Sequence, residues 1–74
     1  MNISDIVLDR VVQLASKGYT VRFSYDHVGY ITIYVIKDFY KARQAVSFEE
    51  IELSKFDVIM YAINRLVQEV DGCL

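Results

Sequence analysis

Tyr19-Thr20-Val21-Arg22-Phe23-Ser24-Tyr25-Asp26-His27-Val28-Gly29-Tyr30-Ile31-Thr32-Ile33-Tyr34-Val35 is the stretch that decides the fold. On both sides of Asp26 to Gly29, large apolar residues alternate with smaller or polar ones, the period of a half-buried strand. Asp26-His27-Val28-Gly29 itself has aspartate at the first position and glycine at the fourth position of a type I turn. In the three-residue hairpin built on that turn, Gly29 takes the left-handed bulge position and Asp26 sits opposite Tyr30. The pairing then follows by counting. Tyr25 faces Ile31, Phe23 faces Ile33 and Val21 faces Val35, and these residues form one apolar side for helices to cover. The other side carries Thr20, Arg22, Ser24, Tyr30, Thr32 and Tyr34. A slip of one residue would set Arg22 and Ser24 against isoleucines, so turn chemistry and hydrophobic pattern agree on one register.

Toward the N-terminus, Ile3, Val7, Val11, Leu14 and Ala15 recur at helical spacing, which predicts a helix from Ser4 to Lys17. Ser4 (or Asn2) serves as its cap, Asp5 suits the positive end of the helix dipole and Lys17 the negative end. Gly18 falls where a left-handed C′ residue ends a helix. Toward the C-terminus, Lys37-Asp38-Phe39-Tyr40 reads as a second turn. Lys41 to Phe48 follows as a third strand, with Ala42, Gln44, Val46 and Phe48 on one side and Arg43, Ala45 and Ser47 on the other. Glu49-Glu50-Ile51-Glu52 breaks that alternation. Ser47 with Glu50 makes one capping box for an early helical turn, and Ser54 with Asp57 makes a second at the start of the main helix. From Lys55 on, Phe56, Ile59, Met60, Ile63, Leu66, Val67 and Val70 form a single stripe that Gly72 ends. The expected fold is α+β: an N-terminal helix, a three-stranded antiparallel β-meander and a C-terminal helix, with both helices on one sheet face and the opposite face bare.

At 74 residues the chain is one domain, residues 1–74. Its hydrophobic fraction of 54% is high for this length, so the apolar side chains either fill a dense core or leave an interface outside. No apolar run reaches the roughly 18 residues that span a bilayer. Met1 to Asp5 meets acid early and has no basic stretch before it, unlike a signal peptide. Cys73 is the single cysteine, which gives no internal disulfide and favours a reducing, cytoplasmic setting. The formal net charge is −2, with the basic residues scattered along the chain; this argues against a strong nucleic-acid binder.

No constellation here carries catalysis. His27 stands alone in a turn, Cys73 stands beside the terminus with no base near it in sequence, and there is neither a phosphate-binding glycine loop nor metal-ligand spacing. No catalytic residue, cofactor or metal is expected. The informative residues are the six tyrosines. On a bare sheet face, tyrosine offers rigid apolar area with a polar tip, which suits interfaces. Arg22, Tyr30, Thr32, Tyr34 and Arg43 are therefore the first candidate contact surface. Asp38, Glu49, Glu50 and Glu52 form a second, acidic candidate that would meet a basic partner.

Met1-Asn2-Ile3, Asp5-Ile6 and then Tyr19-Thr20-Val21-Arg22 with Ser24 give the first third of the chain a resemblance to the small phage-encoded anti-CRISPR proteins that inhibit Cas9. The resemblance implies the same order of helix, three-stranded antiparallel sheet and helical C-terminus. It also implies a phage accessory protein that acts stoichiometrically, occluding a bacterial host protein. In that family an acidic surface stands in for DNA, and its counterparts here are Asp26, Asp38, Glu49, Glu50 and Glu52. The expected partner is thus a bacterial host protein in the cytoplasm. A homodimer without a foreign partner is the alternative, with weak nucleic-acid binding through the aromatic face behind it, and no membrane association is expected.

Overall fold

The structure is a computed structural model that describes residues 3–54 and 57–73. Its elements are α1 (Ile3–Ala15), β1 (Thr20–Tyr25), β2 (Tyr30–Lys37), β3 (Tyr40–Ser47), α2 (Phe48–Ser54) and α3 (Asp57–Cys73). The strands form one antiparallel sheet in the order β1-β2-β3. The expected α+β class and meander are what the chain adopts.

The first hairpin has the register read from its turn: Tyr25 pairs with Ile31, Phe23 with Ile33 and Val21 with Val35. Asp26 holds the turn closed. Its N–H donates to the Tyr30 carbonyl at 3.1 Å, and its Oδ1 accepts from the N–H groups of Val28 and Tyr30 at 2.9 and 3.2 Å. Gly29 lies at φ +102°, the left-handed conformation the bulge requires. The second hairpin closes on the pair Lys37–Tyr40, leaving Asp38 and Phe39 in a two-residue turn with Asp38 at φ 55°.

α1 ends in a Schellman arrangement: the Tyr19 N–H donates to the Leu14 carbonyl and the Gly18 N–H to the Ala15 carbonyl, with Gly18 at φ +91°. Leu14 and Tyr19, the pair this motif brings together, are both buried. At its other end α1 begins at Ile3, so Ser4 stands inside the first turn and not ahead of it. Asn2, Lys55 and Phe56 lie outside the described residues.

The C-terminal half departs from expectation in three places. The strand ends at Ser47, and Phe48 opens a helix of its own, α2. The cause is the capping box: the Glu50 N–H donates to Ser47 Oγ at 3.2 Å, and the Ser47 N–H donates to Glu50 Oε2 at 3.3 Å. The single turn foreseen there is thus seven residues long. At Ser54, the hydroxyl accepts from the Val58 N–H at 3.3 Å. Gly72, read as a terminator, is helical and α3 runs through it to Cys73. Gly72 is not among the left-handed glycines, and a helix stops at glycine only where the backbone turns left-handed there.

The core lies between the sheet and α3. Ile33, Val35, Ala42 and Val46 from the strands meet Ile59, Ala62, Ile63, Leu66, Val67 and Val70 from α3, with Ile51 of α2 and Leu14 of α1 closing the ends. Ala62 is fully buried, and its small side chain lets α3 approach the sheet closely. Arg65 adds a polar clasp at the margin, donating through Nε to Gln44 Oε1 at 2.7 Å and pairing with Glu69 at 3.2 Å. α1 bonds α3 through Arg10 Nε, which donates to Asn64 Oδ1 at 3.0 Å.

Candidate functional site

Strand pairing assembles the open face row by row. Arg22 on β1 pairs with Tyr34 on β2, and Tyr34 pairs with Arg43 on β3, so an arginine, a tyrosine and an arginine stand side by side across the sheet. The next row toward the second hairpin is Thr20, Ile36 and Lys41; the next row the other way is Ser24, Thr32 and Ala45; Tyr30 and Ser47 complete the face. Adjacent strands lie about 4.8 Å apart, which sets the Cα atoms of Arg22 and Arg43 about 10 Å apart with the Tyr34 ring between them.

The face is locally basic although the chain is acidic. All ten carboxylates belong to helices or turns: Asp5 and Asp9 on α1, Asp26 and Asp38 in the turns, Glu49, Glu50 and Glu52 on α2, and Asp57, Glu69 and Asp71 on α3. None stands in a strand. Arg22, Lys41 and Arg43 thus share a surface with no strand carboxylate among them, and each is exposed. Net charge concealed this, because it sums over two sides of a sheet that carry different residues.

Lys41 Nζ lies 5.2 Å from the centre of the Tyr34 ring, a cation–π contact across neighbouring strands. Arg22, Phe23, Ser24, Tyr34, Ile36 and Lys41 line a shallow hollow of about 300 Å³. On the other side of Tyr34, Thr32, Arg43, Gln44 and Ala45 line a second hollow of similar size. Tyr34 is therefore a half-buried ridge with a basic depression on either flank. Lys41 is the member of this site that the sequence reading left out. Its signal was present, since it lies two residues before Arg43 and shares its side of the strand.

The acidic candidate does not assemble as one patch. Glu49, Glu50 and Glu52 lie on α2 beyond one end of β3, whereas Asp38 sits in the turn at the other end, about 25 Å away along an eight-residue strand. Glu50 is also engaged in the Ser47 capping box. His27 is exposed in the first turn, and Cys73 is an exposed free thiol in the last turn of α3. Among the described residues no group of histidine, cysteine or carboxylate side chains is arranged to hold a metal ion, and no helix is long and apolar enough to cross a membrane.

One partly buried polar contact joins the far end of the domain. The Tyr19 hydroxyl donates to Asp71 Oδ1 of α3, while Lys37 Nζ lies 4.4 Å above the Tyr19 ring. That hydrogen bond, helped by burial and by the negative charge of Asp71, raises the Tyr19 pKa above its ordinary value. The contact ties the residue just before β1 to α3 and takes no part in the open face.

Compared with known proteins, the chain matches no family model, no curated protein and no solved structure.

Proposed function

We propose that this domain is a non-catalytic binding module that docks its open sheet face on an acidic surface of a protein partner and acts by occlusion. The observation that carries the reading is the Arg22–Tyr34–Arg43 row with Lys41 beside it, on a face whose strands contribute no carboxylate. Arginine and tyrosine are the side chains that concentrate binding energy at interfaces, and strand pairing sets the backbone positions of this row before the partner arrives. The hollows on either side of Tyr34 are open to solvent and are flanked by Arg22 and Lys41 on one side and Arg43 on the other, groups that attract a carboxylate.

Two features favour a protein over single-stranded nucleic acid. Base stacking needs a free aromatic face, and Lys41 lies over one face of the Tyr34 ring. The positive residues number three, few for a groove that tracks a phosphate backbone. The resemblance to phage inhibitors supports occlusion as the mode of action, with the host protein as partner. A DNA-mimicking surface, however, needs contiguous acid, and the separation of Asp38 from the α2 glutamates favours the basic face as the contact.

The test is capture of a stoichiometric partner from a bacterial host lysate by the wild-type domain and by Arg22→Ala with Tyr34→Ala. Loss of the partner by the variant, with an unchanged circular dichroism spectrum, is the expected result, together with weaker capture as salt rises. A variant that retains the partner overturns the reading. Binding of a single-stranded oligonucleotide, with a steep salt dependence, would move the face to the nucleic-acid class.

A further inference from the structure

The two edges of the sheet are not equivalent. In an antiparallel ladder, hydrogen-bonded pairs alternate with non-bonded ones. The bond from the Asp26 N–H to the Tyr30 carbonyl sets the phase, so Ser24–Thr32, Arg22–Tyr34 and Thr20–Ile36 are the bonded pairs. The N–H and C=O groups of Val21, Phe23 and Tyr25 therefore point away from β2 along the free edge. On the far side, the two-residue turn closes on the bonded pair Lys37–Tyr40, and the same counting turns the backbone groups of Lys41, Arg43 and Ala45 outward from β3. Two of those three residues are charged, the usual guard against strand addition. On the β1 edge the outward residues are all apolar, and the strand carries a single charge, Arg22, against two on β3.

The surroundings of the β1 edge define two different flanks. On the helix side, Phe23 is 46% and Tyr25 66% exposed. On α1, which packs against β1, Leu8 and Val12 are 59% and 60% exposed, on the flank opposite the Arg10 side that bonds α3. On the other side stands Arg22, at the margin of the basic face. A strand added here would point alternate side chains toward an apolar flank and toward an arginine.

We propose that the β1 edge captures an extended segment of the acidic protein partner as a fourth strand, with apolar residues alternating with carboxylates. The proposal rests on the open-face reading and names the form in which the partner arrives. Charge complementarity selects this occupant over a second copy of the chain. A second β1 would present Thr20, Arg22 and Ser24 toward the open face, adding another arginine and no acid. Backbone pairing supplies affinity in this mode, and the alternating side chains supply specificity.

The test uses the intact domain and a capped peptide of about eight residues of alternating valine and glutamate, the length of a strand, followed by amide hydrogen exchange. Slowed exchange at Val21, Phe23 and Tyr25, with no change at Arg22 and Ser24, is expected. A valine–lysine peptide should bind far more weakly. Phe23→Pro removes an outward N–H and no bond to β2, so affinity should fall about tenfold, the factor carried by one ordinary backbone hydrogen bond. Phe23→Glu keeps every backbone group and should weaken binding of the valine–glutamate peptide as well. Arg22 and Ser24 must stay protected in both variants.

The variant Tyr34→Ala with Arg43→Ala separates the two readings. Edge protection that survives in it supports strand capture whatever becomes of the open face. Peptide shifts confined to Tyr34 and Arg43 and indifferent to Phe23→Pro overturn strand capture and leave the open-face reading standing. Equal protection by both peptides, or no protection at saturation, overturns the proposal. Protection of the same three amides by raising the concentration of the domain alone also overturns it, in favour of a second copy.

Discussion

Beneath α3, β2 and β3 present Ile33, Val35, Ala42 and Val46, none more than 5% exposed; beneath α1, β1 presents Val21, Phe23 and Tyr25, and the last two are 46% and 66% exposed. The same alternation and the same register serve both regions, so strand pattern alone does not account for the difference. The helices do. α3 has 17 residues and six buried side chains, among them the fully buried Ala62. α1 has 13 residues, and of its described side chains only Leu14 is buried, with Val7 packed against the core and Leu8 and Val12 turned outward. Tyr25 reaches instead for Phe48 at the start of α2, stacking with ring centres 5.2 Å apart. One half of the covered face is therefore a core, and the other is a partly dressed strand beside an open edge.

Truncating side chains in the two halves should have very different costs. Ile63→Ala removes a side chain with no solvent exposure, and the loss should be about 2–5 kcal/mol. That is a large share of the total for a domain of this length, expected at about 4–11 kcal/mol. Phe23→Ala should cost about 1 kcal/mol or less, because its ring is already half in water. Denaturant midpoints measure both, and equal losses would show that the β1 half is as tightly packed as the other.

Gly18→Ala probes the junction that hangs α1 on the sheet. A Cβ there meets only Lys37 Cε at 3.8 Å, an ordinary contact, so the cost comes from the φ of +91° and should be about 1–2 kcal/mol. Ser47→Ala tests whether the capping box starts α2: losing it should cost about 1 kcal/mol and fray Phe48 to Ser54 in an exchange experiment.

The smallest effect at neutral pH belongs to Tyr19. Its raised pKa means that the folded state keeps a proton that the unfolded chain releases near pH 10. Its contribution is thus complete below about pH 10 and is lost as pH climbs from there through the folded value. A melting series across that window should fall more steeply for the wild type than for Tyr19→Phe.

The local features most legible in the sequence were those settled within a few neighbouring residues. Asp26 and Gly29 dictate a turn whose geometry allows one register, and Gly18 and the Ser47–Glu50 pair mark helix ends by satisfying particular backbone groups. Gly72 misled because glycine permits a left-handed turn without compelling one. The open-face row was half legible: alternation placed Arg22, Tyr30, Thr32, Tyr34 and Arg43 on one side. It could not show that Lys41 lies over the Tyr34 ring, since that contact crosses strands.

Turn chemistry and side-chain alternation act over short distances along the chain, and they suffice for the element order, the first hairpin's register and the sidedness of the first two strands. The tertiary structure alone decided how far the helices reach across the sheet. It also decided that the β1 edge stays open. Those outcomes depend on helix length, on Ala62 letting α3 settle close and on which flank of α1 meets Asn64, none of which a periodic pattern records.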